Sequence, residues 1–499
     1  MARWKLAVAG ALCGVAAALA FRFLLHGGLV DDAFITLRVA RNLARGLGPV
    51  FNPGERLEVT TSPLWTTLLA LGLRFGAPGI LLSDLLSLTA CGAAGAGVAL
   101  LAGSPRAAAL ALFALALSPG YQGWALTGME VPLAGAVLVF AALAARRGRP
   151  VAAGLLGALL TLARPEFLPA ALAVCLAAFW RGRPLHPSAR SAPGAVSNSP
   201  GETGGRGGKR LAWSLAALVA PVAAHLLVRH WYFGTWVPNT YVAKAGGADL
   251  AMHLRGVGYV GSAALFHLPL CAGFFAGPLF ALPVAAAALS VAWLGGDHFA
   301  LGRLMMPAAP LLAAGAGAFL ARLRAPPLRA AASSLLVLLA LGEVAFARSA
   351  GKFADLEPEW SQAGFGEMVS EALQPLPGSL ASVTIGALGW YGDRPMLDLV
   401  GLADAHIART PHLSGVASGH DHADVDYTLE RAPDLILPLS FSLDVPWELW
   451  MYEATFERFR AHFRAGELLY LDPRFRARYH ARQFRLRDGR YVLVWQRNR

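Results

Sequence analysis

The sequence predicts a polytopic α-helical membrane protein with a C-terminal α/β or α+β domain, and three observations predict it. Hydrophobic residues fill 56% of the 499 positions and charged residues only 15%, with a mean hydropathy of +0.49, which is more apolar surface than one soluble core can hide. Apolar runs of membrane-crossing length recur along residues 1–348. From residue 349 the material changes to short β-type stretches and amphipathic segments set among charges.

A membrane helix needs about 20 apolar residues, fewer if paired or kinked. On that rule about eleven spans are expected, near 6–25, 79–103, 106–119, 125–145, 151–164, 167–180, 211–231, 257–275, 276–295, 304–321 and 329–348. The N-terminus has the basic start of a signal peptide, but its apolar run from Leu6 to Leu25 is long and lacks a convincing cleavage site, so it reads as a retained first span.

Orientation follows from lysines and arginines in the short loops. Arg3 and Lys5, Arg106, Arg146 with Arg147 and Arg149, the 181–210 loop with six basic residues and one acid, and Arg322 with Arg324 and Arg329 all fall on one face. That face is expected to be cytoplasmic. The Gly/Ser/Pro-rich stretch Pro187–Gly208 then reads as a disordered cytoplasmic linker, because it carries almost nothing that could be buried.

The opposite face receives the loop 26–78, the segment 120–130, the turn at Arg164-Pro165-Glu166, segments 232–256 and 296–303, and all of 349–499. Nearly every unusual polar residue lands there: the Asp31-Asp32 doublet, Glu130, Arg164 and Glu166, Asn239 with Tyr241 and Lys244, and Asp297 with His298 and Arg303. The tail 349–499 is long enough to own a core. Its expected strands are Ala381–Ile385, Met396–Leu399, Leu435–Leu437, Gln483–Leu486 and Tyr491–Trp495, and its expected helices Gln362–Leu373, Ala423–Arg431 and Thr455–Phe463.

Several function classes lose support at this stage. Cys13, Cys91, Cys175 and Cys271 all lie inside apolar runs, as small buried hydrophobes do. No phosphate-cradling glycine loop or dinucleotide fingerprint appears, so a nucleotide-sugar donor and a nucleotide cofactor lack support, and no cofactor is expected. The net charge of +12 is accounted for by inner loops and a membrane-adjacent arginine-rich tail, without nucleic acid. His412, His420 and His422 with Asp421 and Asp424 match no strong metal-ligand spacing, so no metal is expected. No internal repeat suggests the two matching halves of a transporter.

Taken in chain order, Asp31-Asp32-Ala33-Phe34-Ile35 with Arg38, Arg41 and Asn42, then Phe51-Asn52-Pro53-Gly54-Glu55, Gly128-Met129-Glu130-Val131-Pro132, Arg164-Pro165-Glu166, Pro238-Asn239-Thr240-Tyr241 with Lys244, Gly295-Gly296-Asp297 with Arg303 and Pro307, and Asp398-Leu399-Val400-Gly401-Leu402 form a series. That series, from about residue 30 to 440, resembles the bacterial terminal β-(1→2)-arabinofuranosyltransferase family of the GT-C class. The resemblance implies a GT-C-like transmembrane catalytic domain over 1–348 and an extracytoplasmic domain over 349–499. It further implies transfer of a sugar from a polyprenyl-phosphate donor to an envelope glycan acceptor on the outer side of the bacterial cytoplasmic membrane, with membrane lipids as surroundings.

Such a transfer needs a carboxylate to accept the acceptor's proton and cations or amides to hold the departing phosphate. The resemblance points to Asp31 as base and Asp32 as its positioning partner, the plain alternative being that one of them caps the helix Ala33–Ala44. For the phosphate the candidates are Arg303 first, then Lys244 and Arg164, and for Arg164 the alternative is an ion pair with Glu166 or Glu130. Asn239, Tyr241, Asp297 and His298 are candidate sugar contacts, His298 having a hydrogen-bonded structural role as its alternative. Two further functions remain: transfer of another polyprenyl-linked sugar to a protein or lipid, and a lipid-linked sugar flippase or transporter.

Overall fold

The computed structural model describes residues 3–180, 200–245, 250–353, 355, 357–417 and 419–498. The chain folds into two compact units. The first comprises Met1–Gly27, Asp84–Val228 and Leu250–Asp355, and the second Gly28–Ser83, Arg229–Asp249 and Leu356–Arg499.

The first unit is helical throughout its regular structure among the described residues. Proline opens many of its helices, as at Pro105, Pro119, Pro150, Pro278 and Pro326, a position where its missing N–H costs nothing. Five helices are long and apolar enough to cross a membrane: Arg3–Leu25, Gly79–Ala102, Gly207–Phe233, Ala300–Arg322 and Pro326–Ser349. The pair Leu250–Leu265 and Leu268–Ala276, bent by 93°, makes a sixth if it is one broken span. The remaining expected spans fall on shorter apolar helices, Pro105–Ala116, Val131–Arg146, Pro150–Ala163, Pro165–Ala177 and Pro278–Trp293. A helix of 12 residues such as Pro105–Ala116 rises only about 18 Å, against a hydrocarbon core of about 30 Å. Of the expected disordered linker Pro187–Gly208, residues 187–199 lie outside the described residues, and residues 200–208 are helical instead, in Pro200–Phe233.

The second unit is more than the tail. Loop 28–83 supplies the helices Asp31–Ala44 and Pro63–Arg74, and its Ile35, Val39, Phe51 and Val59 enter one core with Phe365, Leu388, Leu435 and Val494. A five-stranded mixed sheet orders this core, in the sequence β2-β1-β3-β5-β4. Its strands are β1 (Leu380–Ser382), β2 (Met396–Asp398), β3 (Leu435–Leu437), β4 (Tyr479–Arg485) and β5 (Tyr491–Arg497). The first three run parallel, with Ala381 opposite Leu397 and Ile436, and β3 then meets β5 antiparallel. The three parallel strands are buried throughout, as strands covered on both faces must be.

The sequence expected β1 to continue to Ile385. It stops at Ser382 because Thr384–Gly386 turns into the helix Gly386–Gly392. Likewise the expected helix Thr455–Phe463 is two helices, Leu449–Arg458 and Arg460–Leu471, broken at Phe459.

Candidate functional site

In the second unit the Asp31-Asp32 doublet occupies the first turn of the helix Asp31–Ala44, whose N-cap residue is Val30 with no side-chain cap. Asp31 caps a different helix. Its two carboxylate oxygens accept the backbone N–H groups of Gly386 (2.9 Å) and Ala387 (2.8 Å), which are the orphan donors at the start of Gly386–Gly392. Glycine is required there, since a Cβ on Gly386 would lie 1.9 Å from the Asp31 carbonyl oxygen. Burial pushes the Asp31 carboxyl up to about 6, against the lowering effect of its two amide donors and with help from the neighbouring Asp32 charge.

The anchoring continues along the same helix. Arg38, only 2% exposed, donates to the carbonyls of Phe51, Gly389 and Arg394 and to Asn52 Oδ1. Arg41 donates to the Trp390 carbonyl and pairs with Asp393. Asn42 binds the carbonyls of Val50 and Phe51, and Asn52 pairs with both backbone groups of Met396. The loop motif of arginines and asparagines is therefore a clamp on the 386–396 segment, and the helix bearing the doublet is held rigid by it.

Asp31 thus lies just beyond the carboxyl end of β1. At that edge of the three parallel strands, where open α/β sheets commonly bind ligands, polar residues gather: Asp398 of the motif series, and Ser382, Thr384 and Ser440, which sequence reading missed. Thr384 Oγ1 and Ser440 Oγ are hydrogen-bonded, with Ser382 Oγ 3.5 Å from Ser440 Oγ. Asp398, ending β2, accepts the N–H groups of Val400 (3.0 Å) and Ala403 (2.6 Å), and burial pushes its carboxyl up to about 7. The available signal for the hydroxyls was a small polar residue at or within three positions of the end of a short apolar run.

Asn239 is buried, and its amide donates to the carbonyls of Gly401 (2.8 Å), Leu402 (3.0 Å) and Asp404 (3.3 Å). Its backbone N–H reaches the Glu58 carbonyl, and Glu58 is itself paired with Arg229. Tyr241 is 43% exposed, and Lys244 is half-buried with its stem beside Gly419. The histidine-rich segment is partly gathered: His412, Asp421 and His422 bring ligand-type atoms within 4.8 Å of one another. His412 Nδ1 lies 2.7 Å from Asp421 Oδ2, while the two ring nitrogens of His422 face the carbonyls of Thr410 (2.8 Å) and Ala243 (2.9 Å). That bonding fits a bracket between two chain segments better than a metal ligand. Asp424 is elsewhere, capping Val425–Arg431 and bound to His406.

The other candidates belong to the first unit. Arg164, 3% exposed, bonds Glu130 at 2.5 Å and Glu166 at 2.8 Å, so the paired arrangement expected as its alternative is present. Arg303 pairs with Asp297 at 3.0 Å and lies 4.0 Å over the Phe299 ring and 5.5 Å over Trp124. It is set by unusual backbone: Leu301 and Gly302 are both left-handed, at φ 62° and 67°, a costly state for leucine. Gly295 and Gly296 also have positive φ, and a Cβ on Gly296 would press into Tyr259 at 2.6 Å. Three acids and two guanidiniums, near enough for Arg164 and Arg303 to feel each other's charge, leave this buried group with no cation in excess. His298 is exposed, its ring against Phe299.

Residues 354–493 match a family model described only as a domain of unknown function, DUF8728. Over 50 residues the chain is 54% identical to a terminal beta-(1->2)-arabinofuranosyltransferase of Mycobacterium tuberculosis, a stretch covering 10% of this chain and 8% of that protein. Over 35 residues it is 63% identical to the protein of the same name from Corynebacterium glutamicum, covering 7% of this chain and 5% of that one. The chain thus matches less than a tenth of the length of these relatives. The resemblance read from the motifs is present, concentrated in a short stretch of high identity.

Proposed function

We propose that the protein is an integral-membrane glycosyltransferase of the GT-C class that moves a sugar, arabinofuranosyl or similar, from a polyprenyl-phosphate donor to an envelope glycan on the outer side of the cytoplasmic membrane. The observation that carries this reading is the short, high-identity match to two proteins named as terminal arabinofuranosyltransferases. It is supported by helices long and apolar enough to cross a membrane, and on this reading the five shorter apolar helices cross as well, making eleven passages with the tail outside.

The geometry supports a division of labour opposite to the one expected from the sequence. Asp31 spends both oxygens on the Gly386 and Ala387 amides, so it serves as anchor and Asp32 as base. In the proposed step an Asp32 oxygen takes the acceptor's hydroxyl proton and the freed oxygen bonds to the sugar's anomeric carbon. The bond from that carbon to the donor's phosphate oxygen breaks, and the lipid phosphate departs with the electron pair. Lys244 and Arg303 remain the proposed phosphate cations. Arg303 would bring its charge to the phosphate while shared with Asp297, a use open to a guanidinium with five donors. Asn239, with its amide already on three carbonyls, shapes its loop and leaves sugar contact to Tyr241.

The test is turnover of the purified full chain with one sugar offered as matched polyprenyl-phosphate and nucleotide forms, in wild type, Arg303→Ala and Lys244→Ala. Turnover with the lipid form alone is expected, with a loss equivalent to about 2–5 kcal/mol in Arg303→Ala and partial recovery in Arg303→Lys. Efficient use of the nucleotide form would reject the donor class, and an unimpaired Arg303→Ala enzyme would reject that residue's role.

A further inference from the structure

Four arginines of the first unit are placed near helix ends in two opposite ways. Arg146 donates to the carbonyls of Leu100 and Leu101, and Arg322 to the carbonyl of Ala276. Both therefore cover carbonyls at helix C-terminal ends, where a cation is favourable. Arg106 and Arg329 are placed the other way round. Arg106 is the second residue of Pro105–Ala116 and Arg329 the fourth of Pro326–Ser349, and neither helix has an acid in its first turn. A cation in a first turn is opposed by the helix dipole, which favours an anion there. Both arginines line one cleft of about 400 Å³, together with Ser104, Ser333 and the apolar Leu110 and Leu320.

We propose that this cleft binds the phosphate headgroup of an anionic phospholipid. The shape and chemistry match that occupant at each part. Two guanidiniums meet the phosphodiester charge, two serine hydroxyls stand beside them for glycerol or headgroup oxygens, and Leu110 and Leu320 continue toward the apolar helix faces along which acyl chains run. Ser104 already spends its oxygen on the Ala107 N–H, so its hydroxyl hydrogen remains to donate. The bound anion would remove the unfavourable pairing of two cations with two helix starts and tie the two helices together at one end. Both helices are strongly apolar, and Pro326–Ser349 is long enough to cross a membrane, so their charged ends fall at headgroup level, where anionic lipid attracts basic residues. This inference stands apart from the glycosyl-transfer reading and survives its failure.

The test uses the full chain in a neutral detergent, titrated with phosphatidylglycerol, phosphatidylcholine or inorganic phosphate, with retained lipid read by native mass spectrometry and stability by thermal melting. One tightly held phosphatidylglycerol and a raised melting temperature are expected. Arg106→Gln with Arg329→Gln should weaken that retention about tenfold or more, while Arg147→Gln with Arg149→Gln, which removes the same charge elsewhere, should leave it unchanged. Arg106, Arg147 and Arg149 are exposed and Arg329 half-buried, and the melting temperature without lipid reports whether each variant is folded. Equal retention of phosphatidylcholine, equal protection by inorganic phosphate, or equal weakening in the two double variants would overturn the proposal.

Discussion

Replacing the two aspartates one at a time separates an anchor from a base, because the proposed roles give opposite expectations for the two. Asp31→Asn keeps one acceptor for the Gly386 or Ala387 amide and turns an NH2 toward the other, a loss of about 1–3 kcal/mol for an unpaired buried donor. Against this, the Asp31 carboxyl is pushed up to about 6 from a usual 3.8, so holding its charge at pH 7 costs roughly 3 kcal/mol at 1.36 kcal/mol per pH unit, and asparagine escapes that cost. The two nearly cancel, and Asp31→Asn should fold with stability within about 2 kcal/mol of wild type. Asp32→Asn should remain folded and lose turnover by on the order of a hundredfold or more, the usual worth of a general base. The assay pairs turnover on a polyprenyl-phosphate sugar with thermal melting of the same samples. A near-wild-type rate in Asp32→Asn, or a larger loss in Asp31→Asn than in Asp32→Asn at equal stability, would refute the assignment.

Three further outcomes are expected. Asp398 has a folded-state carboxyl raised to about 7, so the folded chain binds more protons than the unfolded one between about pH 4 and 7; stability from this group is present below pH 4 and lost as pH rises through 7. Melting temperature against pH should be flatter over that window in Asp398→Asn. Arg38→Met takes their side-chain donor from the Gly389 and Arg394 carbonyls, while Phe51 keeps Asn42 and Asn52 keeps the Met396 N–H; at about 1 kcal/mol or more for each unpaired carbonyl it should cost roughly 2 kcal/mol or more, read as a lowered melting temperature or loss of folded protein on expression. A reporter fused after Arg149 should signal from the cytoplasm and one after Asp355 from outside, and a cytoplasmic signal at Asp355 would overturn the proposed topology.

Periodicity and composition made much of the architecture legible. Met396–Leu399, Leu435–Leu437 and Tyr491–Trp495 were readable as strands because each is a compact apolar run bounded by turn residues, and β2, β3 and β5 lie on them. The break at Phe459 was not readable, since helical spacing continues through it, while in the fold the Phe459 ring stacks on Phe441, 18 positions back. Span lengths were only partly legible: Ala and Leu runs show where helices are, while prolines such as Pro105 and Pro165 decide where they start. At the candidate site the polar residues could be named but their partners could not. Asp31 as a helix cap was conceivable from sequence, yet the helix it caps begins at Gly386, 355 positions away. The pairing of Arg303 with Asp297 spans six residues, and was still hidden by the left-handed turn at Leu301 and Gly302.

That the second unit is assembled from Gly28–Ser83, Arg229–Asp249 and Leu356–Arg499 has a consequence for biogenesis. Val59 and Phe365 share one core, yet at 5–20 residues per second the ribosome needs roughly 15 to 60 s to travel between them. Throughout that interval the early segment waits with Ile35, Val39 and Phe51 uncovered and with Arg38 lacking the Gly389 and Arg394 carbonyls. A nascent chain in that state offers apolar surface to proteases and holding chaperones, and a chain cut short before residue 356 never leaves it. The core of the second unit therefore closes only after the segment Leu356–Arg499 has been made, so its folding follows synthesis where most domains fold alongside it.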